Sequence, residues 1–460
     1  MLKTLSRLLI LLIFIPVAWL LVLRLEGGKP EILLDLPSVY LNKDHRVSVS
    51  VEDAKSGLRR IVVSIVQAGS ETVLLEKEYD TAAFFFLLSG PETVTDSFDI
   101  PVDLLKHGIK DGEAVIRVTA SDLSWRGWNR GNVTHKEQAV IIDSVPPRVD
   151  VLTTRHNIEQ GGAGLVIYQV SEDNIRSGVQ VGDNFFPGHP GLFDNQQIHA
   201  AFFALDYTQG SGTRLAVVAK DQAGNTTRKG FYHYIRDKVF QKDTLNISKG
   251  FLESKIPDFD IGDENQRFQA ADDPLLEKFL YINRTVRKNN VDRLLGVSSA
   301  TENKMHWSGR FLRMEGAAKR AGFADHRTYL SGGREIDRAV HLGIDLASTA
   351  HAPIAAANTG RVIFAQFEGI FGNSVVIDHG FGLCSLYSHL SQIRVSTGDM
   401  VQKGDIIGLS GLTGLAGGDH LHFSMIVHNV FVNPVEWWDD TWINNNITSK
   451  IDTIRQLPNH

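Results

Sequence analysis

Apolar and polar positions alternate with a period of two along most of this chain. Arg46-Val47-Ser48-Val49-Ser50-Val51 alternates strictly, and so does Ala114 to Thr119. Such alternation predicts strands with one buried face. Short β-branched runs separated by glycine turns return beyond Trp307: Gly360 to Ala365, Asn373 to Gly380, Leu383 to Leu390 and Asp405 to Gly408. A helical period is expected in one place, Pro274 to Arg284. Leu275, Leu276, Phe279, Leu280 and Ile282 cluster on one side there, with Asp272 or Asp273 suited to the N-cap and Pro274 to N1. A single helical turn is also expected at Val102 to Lys106. The fold class is therefore mainly β.

Two segments repeat one pattern. Val47 to Asp53 with Ser56-Gly57 resembles Ile167 to Asp173 with Ser177-Gly178, and Ile116 to Asp122 resembles Leu215 to Asp221. The offset is roughly 100–120 residues, the size of an immunoglobulin-type sandwich. The Asp221 to Asn225 stretch reads as a tight turn in preference to a calcium loop. The expected organisation is residues 1–28 as a signal anchor, 30–147 and 148–235 as two Ig-like modules, and 236–328 as a partly helical brace or cap. A strand-rich domain at 329–440 and a tail at 441–460 complete it.

At 460 residues, several domains are expected. A net charge of −6 without dense Lys/Arg runs gives no pull toward nucleic acid. Cys384 is the only cysteine, so the chain forms no internal disulfide and any metal must be held by His and carboxylate. Lys3 and Arg7 precede an uncharged apolar run from Leu8 to Leu23, closed by Arg24. The run is just short of the roughly 17–25 residues of a spanning helix. With no small-residue cleavage pattern after it, an uncleaved inner-membrane anchor with the bulk of the chain exported is expected, the alternative being a cleaved signal peptide.

The candidate chemistry lies in the last domain. In Gly417-Gly418-Asp419-His420-Leu421-His422-Phe423 two histidines sit two residues apart at the start of a strand, so both point one way. Upstream, His341-Leu342-Gly343-Ile344-Asp345-Leu346 alternates likewise and puts His341 and Asp345 on one face. Three imidazoles and a carboxylate are the ligand types zinc prefers. With Tyr387-Ser388-His389-Leu390 between them, these motifs resemble the M23 (lysostaphin/LytM-type) zinc metallopeptidases over about Tyr329 to Trp438. The surrounding Gly372 to Gly380, Val401 to Asp405 and Gly408 to Gly414 agree.

The resemblance implies an all-β LytM-type domain in which His341, Asp345 and His422 ligate Zn²⁺. It also implies His389 and His420 as catalytic, non-ligand histidines, with peptidoglycan peptide bonds as substrate in the cell envelope. Three protein ligands leave one position for water or substrate, and a nearby imidazole can move the proton. Two other readings belong to different classes: a non-catalytic wall-binding or amidase-activating relative, and a protein-directed processing peptidase. His306, His326, His351, His379 and His428 are expected to be structural. Many relatives carry Pro and an acidic residue where this chain has Asp419 and Ser424, which bears on cleft polarity.

Overall fold

The computed structural model describes the chain except residues 1–11, 16, 20, 23–24, 80–92, 103–106, 174, 258, 263, 270 and 457–460. The expected turn at Val102 to Lys106 falls almost wholly outside the described residues. So, in large part, does the expected anchor. Among the described residues no helix is long and apolar enough to cross a membrane.

Strands dominate, as the alternation predicts. By compactness the chain forms two units, Met1–Pro146 with Asp221–Asn225, and Pro147–Lys220 with Thr226–His460. The first unit has a five-stranded sheet, in the order Tyr40–Leu41, Val133–Ile142, Gly112–Asp122, Leu58–Gln67, Ser70–Glu78. A three-stranded antiparallel sheet accompanies it, Glu31–Asp35, Arg46–Glu52 and Thr95–Pro101. The alternation of Arg46–Glu52 buries Val47, Val49 and Val51 against Ile61, Val63, Ile116 and Val118 of the larger sheet. Asp221 accepts from the backbone N–H of Asn225 at 2.9 Å and from its side-chain amide at 3.0 Å, which closes the expected tight turn.

In the second unit one hydrophobic core runs from Val149 to Ile454. It joins residues 148–235 to the strand-rich region beyond Trp307. Phe202 packs on Trp307 and Trp437, both at 6.2 Å between ring centroids. Glu436 Oε2 accepts the Ala163 backbone N–H at 2.9 Å.

The helical region contains α1 (Lys249–Lys255), α2 (Pro274–Tyr281) and α3 (Arg287–Ser298), with a π-helical turn, Ile282–Val286, between α2 and α3. Asp273 is the N-cap of α2, accepting the Leu276 N–H at 3.1 Å, and Pro274 opens the first turn.

An eight-stranded sheet carries the candidate chemistry. Its strands are β1 (Ala318–Ala321), β2 (Ile344–Ala347), β3 (Gly360–Glu368), β4 (Gly372–Asp378), β5 (Leu383–Leu390), β6 (Met400–Val401), β7 (Leu421–Val427) and β8 (Val430–Val432). The spatial order is β1-β2-β7-β5-β4-β3-β6, with β8 paired to β7. Every residue of β5 and β7 is buried. Their polar members, Ser385, Ser388, His389, His422 and Ser424, are buried along with the apolar ones.

Candidate metal centre and catalytic cleft

Neighbouring strands bring the residues together. β2 pairs antiparallel with β7 so that Asp345 lies opposite His422, and β7 pairs with β5 so that Ser388 lies opposite His422. Residues directly opposite share a face. The strand expected from His341 onward begins only at Ile344. His341 sits just ahead of it, and its side chain still reaches Asp345.

His389 needs a different device. It follows Ser388, and regular alternation would turn it to the other face. The β4–β5 register shifts between Asn373 and Val375, with one extra residue on β5, and His389 adopts φ 64°. A bulge of this kind re-aims one side chain, and histidine tolerates the left-handed region better than most residues. His389 thereby lines the same cavity as His420 and His422.

Three donor atoms converge. His341 Nε2, His422 Nδ1 and Asp345 Oδ1 are each 2.9 Å from the other two. The partners on the far side of each ring decide what these atoms are. His341 Nδ1 lies 2.8 Å from the Gly322 carbonyl, an acceptor, so the proton sits on Nδ1 and Nε2 presents a lone pair. Ser424 donates its hydroxyl to the Leu342 carbonyl at 2.8 Å, so it accepts from His422 Nε2–H at 3.0 Å. His422 Nδ1 therefore also presents a lone pair. Three electron-rich atoms face one point with no proton between them, an arrangement that a cation satisfies. The donor set of two imidazoles and one carboxylate fits zinc.

Backbone size protects this arrangement. A Cβ on Gly343 would stand 2.5 Å from Ser424 Oγ and 2.6 Å from His422 Nε2.

The remaining imidazoles are anchored at Nδ1, His389 to the Thr413 carbonyl at 2.9 Å and His420 to the Gly418 carbonyl at 2.8 Å. Their rings are 4.8 Å apart. His420 Nε2 lies 3.5 Å from Asp345 Oδ1, beyond the three-atom cluster.

Burial works against charge on every ring here, and the surroundings decide the outcome. Burial first, then His420 and His422, hold His389 well below the usual imidazole range. Burial takes His422 down to about 4. For His420 the Asp345 carboxylate outweighs burial, and its pKa is raised. Burial would raise Asp345, yet the neighbouring imidazoles hold it well below the usual carboxylate value.

The cleft holding these groups has a volume of about 450 Å³. Part of its wall comes from Leu245, Ile247 and Phe251, from Phe279 on α2 and from Arg287 on α3.

Residues 339–434 match the family model described as Peptidase family M23. This M23 segment is 40% identical over 98 residues to the "Peptidoglycan DD-endopeptidase ShyA" of Vibrio cholerae, 21% of this chain and 23% of that protein. It is 38% identical over 96 residues to the "DD-carboxypeptidase/endopeptidase Mpg" of Neisseria meningitidis, 21% of this chain and 22% of that protein. The similarity thus spans less than a quarter of the length of either relative. Among solved structures, the catalytic domain of lysostaphin from Staphylococcus simulans is 29% identical, covering 26% of this chain and 90% of that chain at a TM-score of 0.22.

All five residues singled out from the sequence line the cleft, and His341, Asp345 and His422 form a group able to hold a metal. The M23 segment leaves the other histidines elsewhere. His379 is buried between the Thr359 carbonyl and Ser385 Oγ, both at 2.8 Å, and His351 is exposed beside Ser391.

Sequence reasoning missed Arg327, whose Nη2 donates to Asp345 Oδ2 at 3.0 Å, and it missed Arg287. Neither lies in a recognisable motif. It noted Ser424 only as a departure from the family pattern, whereas Ser424 sets the tautomer of His422.

Proposed function

We propose that the protein is an exported zinc endopeptidase that hydrolyses peptide bonds in peptidoglycan. The observation that carries this reading is the cluster of three lone pairs beside two further imidazoles, all in one cleft within an M23 segment. His341, Asp345 and His422 would hold the metal. A bound zinc ion would supply Lewis acidity, lowering the pKa of a coordinated water toward about 7 and polarising the scissile carbonyl.

The chain's own residues do the rest. His389 and His420, each held by a carbonyl at Nδ1, keep Nε2 for the cleft and handle the proton of the attacking water. One accepts it, and one returns a proton to the leaving amine. The imidazole that has taken up the proton also stabilises the oxyanion. Arg327 holds Oδ2 of Asp345, which leaves Oδ1 for the metal. The inner-membrane anchor at residues 1–28 and the division into 30–147, 148–235, 236–328, 329–440 and 441–460 belong to the same proposal. The strand-rich N-terminal modules, read as Ig-like, would set the reach from membrane to wall.

Digestion of purified sacculi by the zinc-loaded protein tests it. Mass spectrometry of the released muropeptides is expected to show peptides cut at the cross-link, with new amine termini that a chelator abolishes. Intact sacculi after incubation with zinc-bound protein would overturn the reading.

A further inference from the structure

We propose that Arg287 and Arg327 form a carboxylate-binding subsite in the cleft, so that the protein selects peptides carrying a free carboxylate beside the scissile bond. The proposal rests on the peptidase reading above and names the substrate chemistry of that same site.

The cleft carries excess positive charge. Its lining carries three formally charged side chains, Arg287, Arg327 and Asp345. With the imidazoles neutral the balance is +2 from the arginines and −1 from Asp345, a net +1, and a divalent ion adds to it. A partly enclosed site with excess positive charge attracts an anion.

The guanidiniums are also held in place. Arg287 follows directly on the π-helical turn Ile282–Val286, and such turns shift side-chain direction where function needs it. Its Nη2 and Nε donate to Asn283 Oδ1 at 2.7 and 3.1 Å, and Nε also reaches the Asn283 carbonyl at 3.2 Å. Asn283 is itself buried and fixed through its amide to Asp337 Oδ2 at 2.8 Å. The fork of Arg287 is thus oriented by a neutral clamp. Among the described residues no carboxylate forms an ion pair with it.

Arg327 spends Nη2 on Asp345 Oδ2, while its buried Nε has no partner. A buried guanidinium N–H without an acceptor costs free energy that a bound carboxylate recovers. Both guanidiniums line one cleft, and burial, aided by the Arg327 charge and opposed by Tyr329 and Asp337, lowers the pKa of Arg287. Guanidinium forks match carboxylates in planar geometry. Both arginines lie outside the M23 segment, Arg287 at the start of α3 and Arg327 on the strand His326–Ser331, so the subsite is built by residues that precede the matched strands.

The carboxylate could belong to the C-terminus of an uncross-linked stem or to a residue inside a cross-link. The test uses synthetic peptides of both kinds, each with that carboxylate free or converted to the carboxamide, and the full zinc-loaded chain. The wild-type protein is expected to favour the free acid by about 10–100-fold in kcat/KM, mostly through KM. Arg287→Gln is expected to bring that ratio close to one with zinc content unchanged. Whichever peptide kind shows the larger ratio identifies the source.

An unchanged ratio in Arg287→Gln, or equal cleavage of acid and amide by the wild type, would overturn the proposal. Calorimetric binding of the same peptides keeps the two readings apart. If no peptide is cleaved but the acid still binds preferentially through Arg287, the peptidase reading fails and the subsite stands. Equal binding of acid and amide sinks the subsite.

Discussion

Ser424 decides which nitrogen of His422 faces Asp345. Its hydroxyl donates to the Leu342 carbonyl and accepts from His422 Nε2, so a single side chain sets tautomer and ring orientation together. Partners of this kind are typically worth 10–100-fold in metal affinity. Ser424→Ala removes the acceptor and lets His422 adopt the other tautomer. We expect zinc affinity to fall by about 10-fold or more, measured by titration against a chromophoric chelator, while circular dichroism stays native. Unchanged affinity would mean that Ser424 does not govern the ring.

At the scale of elements, the sheet was legible because its strands are short, β-branched runs and its turns are glycine-marked. The relation of Asp345 to His422 follows from that pattern plus one pairing, β2 to β7. His389 was legible only through its motif. Periodicity alone sends it to the wrong face, and the bulge that re-aims it depends on the register of β4 against β5, a tertiary property. The helix at Pro274 was readable from its cap and its apolar side. The π-helical turn after it was not, since no local residue pattern announces an extra residue in a helical turn. Arg287 stayed hidden for that reason, and Arg327 because its value lies in a contact with Asp345, 18 residues away.

At the scale of the whole molecule, the core of the second unit is continuous from Val149 to Ile454. Glu436 crosses that distance by accepting the Ala163 N–H. Burial raises its pKa to about 8, against which the Ala163 bond and the Lys238 charge work only in part. The folded state therefore keeps this proton while the unfolded chain releases it near the ordinary value of 4.5. Stability from this group is present below that value and declines as pH rises toward 8, by about 3 kcal/mol at neutral pH. Glu436→Gln retains the acceptor and removes the titration. Its melting temperature should match the wild type near pH 4.5 and exceed it near pH 8, and an equal difference at both pH values would contradict the assignment.

The central claim is that the histidine pair on β7 is split, with His422 on the metal and His420 free to move protons. Because His420 Nε2 stands only 3.5 Å from Asp345 Oδ1, the claim is a real division between close neighbours. The most direct measurement is zinc stoichiometry together with peptide turnover for the two alanine variants. His422→Ala should lose zinc, whereas His420→Ala should bind zinc as the wild type does and lose about 10²-fold or more in turnover. Equal loss of zinc in both variants would contradict it.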